Sequence, residues 1–269
     1  MAGAKGAYKA LYEGWKQDPA AFWLAAAKDI DWITEPRVAL DAEAGVYGRW
    51  FPDGVCNTAW NCLDRHVNGG RADQPALFYD SPVTDVKKAF TYAELLDEVK
   101  IVATMLRRQG VEKGDRVLLY MPMIPEAVIG MLACARIGAV HSVVFGGFAA
   151  RELATRIDDC TPRAILSASC GIEPGRIVHY KPLLDEAIEL SAHQPESVFV
   201  LQRPMETAAL KDGRDHDWGA ARDAIRASGA HKDSACAPMA ATDPLYVLYT
   251  SGTTGKPKGV VRDTGGHMV

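Results

Sequence analysis

Arg116-Val117-Leu118-Leu119-Tyr120-Met121 leads through Pro122 and Pro125 into an apolar segment reaching Ala135, and Gly138 precedes Val140-His141-Ser142-Val143-Val144-Phe145. The two outer runs are short and mostly apolar, so they read as strands. The middle segment begins just after prolines and stops at a glycine, as helices do. Strand, helix and strand in succession set the pattern for the flanking sequence. Upstream, Ala76–Tyr79 reads as a strand, and Thr91 with Glu94 forms a capping box for a helix ending near Gly110. Downstream, residues 151–158 read as a helix, and residues 163–169 and 197–201 as strands. Repeated βα units imply an α/β fold, a mainly parallel sheet with flanking helices, from about residue 73 onward. The polar stretch 211–243 has only a modest helical pattern and is expected to cross the surface.

Residues 1–72 differ from the rest. Trp15, Trp23, Trp32, Trp50 and Trp60 lie there, five of the six tryptophans. Asp18-Pro19 opens an Ala-rich helical piece reaching Lys28, and irregular stretches surround Pro36 and Pro52. Large aromatics bury much area per residue, so this segment is expected to be an N-terminal arm that packs on the main domain.

The chain of 269 residues has a formal net charge of -4, with Lys and Arg scattered, which argues against a nucleic-acid partner. No apolar run approaches the length of a membrane span, and residues 1–9 show no secretory pattern. The six cysteines include no CxxC pair, and no His or Cys spacing matches a metal site. A reduced, cytoplasmic protein without membrane partner, structural metal or tightly bound cofactor is expected. His141 reads as a core histidine, and Asp158-Asp159 as a solvated helix face.

The strongest chemical signal follows Leu245-Tyr246-Val247-Leu248-Tyr249: Thr250, Ser251, Gly252, Thr253, Thr254, Gly255, Lys256, Pro257, Lys258 and Gly259. Glycines let backbone N–H groups approach phosphate oxygens, the hydroxyls donate, and two lysines supply charge. This is not a Walker loop. Thr250 stands where the first Gly belongs, and Pro257 replaces the Ser or Thr that would hold magnesium. Polyphosphate binding by Thr250–Gly255, Lys256 and Lys258 is therefore expected, with a strand after the loop.

Tyr249–Gly259 resembles the signature phosphate loop of the adenylate-forming superfamily. The segments Tyr120–Ala127 and Met131–Phe148, together with Trp50-Phe51, Asn57-Thr58 and Leu63–Val67, resemble its acetyl- and propionyl-CoA synthetase branch. The resemblance covers essentially the whole chain. Ser167–Arg176 and Arg262-Asp263-Thr264-Gly265-Gly266 are similar to the propionyl pattern. Val261 departs from the Gln common there. This resemblance implies propionate–CoA ligation with Mg-ATP, AMP formation and a propionyl-adenylate intermediate. It also implies that residues 73–269 are the first part of an AMP-binding domain. The CoA nucleotide is implied near Phe145, Gly146 and Gly147 and the turn Glu173, Pro174, Gly175 and Arg176. Arg176 is the cation there, whereas the charge of Glu173 opposes a phosphate. The family's catalytic lysine, small C-terminal domain and acyl pocket would lie beyond Val269. The chain is accordingly expected to be an inactive N-terminal fragment that associates through its open sheet edge. Acetyl-CoA synthetase, and a non-catalytic nucleotide- or CoA-binding module, are the alternative readings.

Overall fold

The computed structural model describes residues 3–250 and 257–269, with side chains from residue 8 onward. The chain divides into two compact units, residues 1–57 with 238–243 and 262–269, and residues 58–237 with 244–261.

In the first unit, the Asp18 carboxylate accepts from the Ala21 N–H at 2.9 Å and caps the helix Pro19–Ala26. Tryptophans build the core of this unit. Trp23 meets Trp50 edge-on at 5.6 Å, and Trp32 lies 5.7 Å from Phe51, around buried Ala27, Ala39 and Ala241. The Trp32 indole also donates to the Ala27 carbonyl at 2.8 Å, so its one polar atom is satisfied. Trp32–Thr34, Val55–Cys56 and Met239–Ala240 form a small antiparallel sheet.

In the second unit the chain runs β1 (Pro75–Ser81), β2 (Val86–Thr91), α1 (Tyr92–Arg108), β3 (Arg116–Met121), α2 (Pro125–Ile137) and β4 (Val140–Phe145). It continues through α3 (Ala150–Cys160), β5 (Ala164–Ala168), β6 (Cys170–Glu173), β7 (Arg176–His179) and α4 (Tyr180–Leu190). The remaining elements are β8 (Ser197–Leu201), β9 (Asp215–Asp217), α5 (Trp218–Ser228), β10 (Pro244–Thr250) and β11 (Lys258–Asp263). Seven strands form one sheet in the order β9-β8-β5-β3-β4-β10-β11, and the five pairs from β9 to β10 are parallel.

Side-chain alternation along β3 shows why the sheet is covered on both faces. Val117, Leu119 and Met121 join one core with α1, α2 and α5, whereas Leu118 and Tyr120 join another with α3 and α4. The capping box at Thr91 and Glu94 and the left-handed Gly138 at the end of α2 are as the sequence implies. Among the described residues no helix is long and apolar enough to cross a membrane.

Three elements depart from the sequence reading. Among the described residues, the strand around Ala76–Tyr79 pairs with β2 alone, as a separate antiparallel ribbon. The expected strand 163–169 ends at Ala168, and a hairpin, β6–β7, follows it. Residues 211–243 do more than cross the surface: they supply the edge strand β9 and the helix α5, which buries Trp218 and Ile225. Only two large apolar residues anchor that helix, too few to stand out in a polar window.

Helix α5 is also held to α1 by charge. Arg222 and Arg226 reach the Glu98 carboxylate at 2.6 and 2.7 Å. Burial raises the Glu98 pKa, but the two guanidiniums outweigh it and hold the group below its ordinary 4.5. A depressed carboxylate pKa stabilises the fold above the unfolded value, and that stability is lost as pH falls through the folded one. Urea denaturation is therefore expected to show a steeper loss of stability below pH 4.5 in the native protein than in Glu98→Gln.

Candidate functional site

Adjacent parallel strands β3 and β4 send their chains to opposite faces of the sheet, β3 into α2 and β4 into α3. Such divergence opens a crevice beyond the carboxyl ends of the strands, where α/β proteins bind ligands. Three of the sequence-derived segments meet this edge. Strand β4 ends at Phe145, which is 71% exposed, and continues into Gly146 and Gly147. Strand β10 runs parallel beside β4, with Tyr246 opposite His141 and Val247 opposite Ser142, and ends at exposed Thr250. Ser251, Gly252, Thr253, Thr254, Gly255 and Lys256 lie outside the described residues. The chain resumes at Pro257, and Lys258 is exposed at the start of β11.

The turn Glu173-Pro174-Gly175-Arg176 is the tip of the β6–β7 hairpin, with Gly175 at φ 81°. The Arg176 Nε and Nη2 donate to one Glu173 carboxylate oxygen at 2.8 and 2.6 Å, and both side chains are exposed. A phosphate would compete with that carboxylate for the guanidinium. A Cβ built on Gly147 would lie 3.7 Å from Glu173 Oε1, so residues 145–147 and 173–176 are neighbours despite their separation in sequence. Behind them the Tyr180 ring lies 4.9 Å from that of Tyr120, tilted by 31°, and the Tyr120 hydroxyl donates to the Phe148 carbonyl at 3.1 Å.

Helix α3 supplies residues that the sequence reading left out. Asp159, exposed as expected, also accepts a 2.7 Å hydrogen bond from the hydroxyl of Tyr249, one residue before Thr250. Its neighbour Asp158 accepts from the His193 N–H at 3.0 Å. Burial, and then the bond to Asp159, raise the Tyr249 phenol well above its usual range, which keeps it a neutral donor. One turn earlier, the Arg156 guanidinium lies 4.7 Å from the Phe148 ring centre and 5.6 Å from that of Tyr249. It is anchored to Glu152 at 3.1 Å. Arg156 thus joins the turn after β4 to the end of β10. Glu152, Arg156 and Asp159 follow i, i+4 and i+3 spacing, the one sequence signal that they share a helix face. Among the described residues no group of three or more His, Cys, Asp or Glu is arranged to hold a metal ion.

Residues 63–269 match a family model described as "AMP-binding enzyme", and residues 8–62 one described as "Acetyl-coenzyme A synthetase N-terminus". The chain is 47% identical to the mitochondrial acyl-CoA synthetase short-chain family member 3 of Mus musculus, over 99% of this chain and 38% of that protein. It is 46% identical to an acetyl-coenzyme A synthetase of Streptomyces coelicolor, over 96% of this chain and 38% of that one. Among solved structures, an acetoacetyl-CoA synthetase from Streptomyces lividans superposes with a TM-score of 0.81 at 29% identity, covering 94% of this chain and 38% of the other. The chain therefore spans about two fifths of the length of the curated relatives it matches.

Proposed function

The chain belongs to the AMP-binding enzyme family, and we propose that it forms the phosphate-loop and CoA-nucleotide part of an AMP-forming short-chain acyl-CoA synthetase acting on propionate. The observation that carries this reading is kinship with short-chain acyl-CoA synthetases across nearly the whole chain. In the proposed reaction a propionate oxygen attacks the α-phosphorus of Mg-ATP and pyrophosphate leaves. The CoA thiolate then attacks the acyl carbonyl, AMP leaves, and propionyl-CoA forms. The first step crowds negative charge around the phosphates, so positioned N–H groups and cations matter most. Thr250–Gly255, Lys256 and Lys258 are assigned to the β- and γ-phosphates. Phe145–Gly147 and Glu173–Arg176 are assigned to the CoA nucleotide, with Arg176 exchanging its Glu173 partner for a phosphate.

Propionate as the acid is supported by the likeness of Ser167–Arg176 and Arg262–Gly266 to the propionyl pattern. Acetate is the second reading, favoured by the nearly equal identity to the Streptomyces acetyl-coenzyme A synthetase. The test is AMP release with CoA and Mg-ATP by the protein expressed from its complete reading frame, with propionate and acetate in parallel. A higher kcat/KM with propionate supports the first reading, and a higher value with acetate the second. Release with neither acid would withdraw both.

A further inference from the structure

Resting on the reading just given, we propose that Tyr180 is a positioning residue for coenzyme A. Its ring sets the distance between the Phe145–Gly147 turn and the β6–β7 hairpin, the two segments assigned to the CoA nucleotide.

Three sets of contacts converge on this ring. A Cβ added at Gly146 would lie 2.1 Å from the Tyr180 phenol oxygen, and one added at Gly171 would lie 2.6 Å from the same oxygen and from two ring carbons. Real Cβ atoms do not approach so closely, so the backbone of the turn and that of β6 both rest directly on the ring. Glycine is needed at both positions for that approach. The third contact is the Tyr120 ring at 4.9 Å, and Tyr120 holds the far end of the turn through the Phe148 carbonyl. Tyr180 is itself only 5% exposed, so it forms the floor under the two segments rather than a surface for ligand.

The ring cannot swing away freely. The Tyr180 N–H donates to the Ser169 carbonyl at 3.1 Å, which ties the start of α4 to the end of β5. The next residue, Lys181, is buried and pairs with Asp215 on β9 at 2.8 Å and with Asp185 one turn along α4. Arg214 bridges the same two carboxylates. This buried network fixes the first turn of α4 to the sheet edge, and Tyr180 transmits that rigidity to the turn and the hairpin. Removing the ring leaves a void that close-packed surroundings fill by shifting the two glycine-bearing segments, so Arg176 at the hairpin tip moves relative to Phe145. The ATP phosphates are assigned to a different strand end, so the disturbance should be felt by CoA first.

The experiment uses the protein expressed from its complete reading frame and measures KM for CoA and for ATP separately. Tyr180→Leu is expected to raise KM for CoA about tenfold or more, since misplacement of binding groups by about 1 Å has effects of that order or larger. KM for ATP is expected to change less than about twofold on the same argument. Tyr180→Phe keeps the ring and should restore near-native KM for CoA. Gly146→Ala should also raise KM for CoA, but its effect should largely vanish in Gly146→Ala/Tyr180→Leu, where the new methyl occupies space the ring has left. Should Tyr180→Leu not fold, Gly146→Ala and Gly171→Ala press on the same ring from two segments and carry the same expectation. An unchanged KM for CoA, an equal rise in both KM values, or additive effects in the double variant would overturn the inference. Propionate- or acetate-dependent exchange of pyrophosphate into ATP needs no CoA. Its absence from the native protein overturns the functional reading and this inference with it. Its presence, alongside variants indifferent to CoA, overturns this inference alone.

Discussion

Asp64→Ala is expected to destabilise the second unit by about 3–5 kcal/mol, the range for breaking a buried ion pair by removing one partner. Arg136, in the last turn of α2, donates to both oxygens of Asp64 at 2.8 and 3.1 Å, and the side chains are 3% and 9% exposed. The same guanidinium donates to the Ser234 carbonyl through Nε and Nη2, and the Arg136 carbonyl accepts from the Ala237 N–H at 2.8 Å. One arginine thus ties the 60–64 segment and residues 234–237 to the end of α2. Losing the carboxylate deprives a buried guanidinium of the Asp64 charge that compensates it. Cys236 offers no replacement anion, because burial pushes its thiol up to about 12. Replacing both partners, as in Asp64→Leu/Arg136→Met, should recover much of the loss, because no unpaired charge remains. Urea denaturation of the three proteins checks this. A single-variant loss near zero would mean that solvent reaches the pair.

Lys256→Met is expected to lower kcat for carboxylate-dependent AMP release on the order of 10²–10³-fold, the usual cost of removing one preorganised group that stabilises charge in the transition state. The substitution keeps the long apolar stem and deletes the ammonium, so the loss reports charge rather than bulk. Because the lysine is assigned to the polyphosphate, KM for CoA should stay near its native value. A kcat unchanged by Lys256→Met would remove this residue from the proposed phosphate site. A comparable rise in KM for CoA would point instead to collapse of the whole carboxyl edge.

Much of the sheet was legible because each strand of its centre carries its own signal. Arg116–Met121 and Val140–Phe145 are apolar on both faces, as strands buried on two sides must be, and Pro125 and Gly138 bracket the helix between them. The edge was not legible. Asp215–Asp217 is a strand made of Asp, His and Asp, whose place depends on parallel pairing with β8 and on the Lys181–Arg214 charge network. No local propensity announces such a strand, since its stabilising partners are far away in sequence. Asp158 and Asp159 are exposed, as an acidic pair near a helix end implies, but no local signal announces that Tyr249, from a distant strand, donates to Asp159.

The class of fold and the chemistry on offer are written in the chain itself: period-two and helical patterning, caps, and a loop whose glycines, hydroxyls and lysines suit a polyphosphate. These are local properties, encoded within a few turns or one strand. Which strand ends share an edge emerged from the folded chain. It also showed that Gly146 and Gly171 press on one buried tyrosine, and that Arg156 bridges Phe148 and Tyr249. Such proximities come from strand order and crossover direction. Burial of all the apolar faces at once selects these, and no single segment records them.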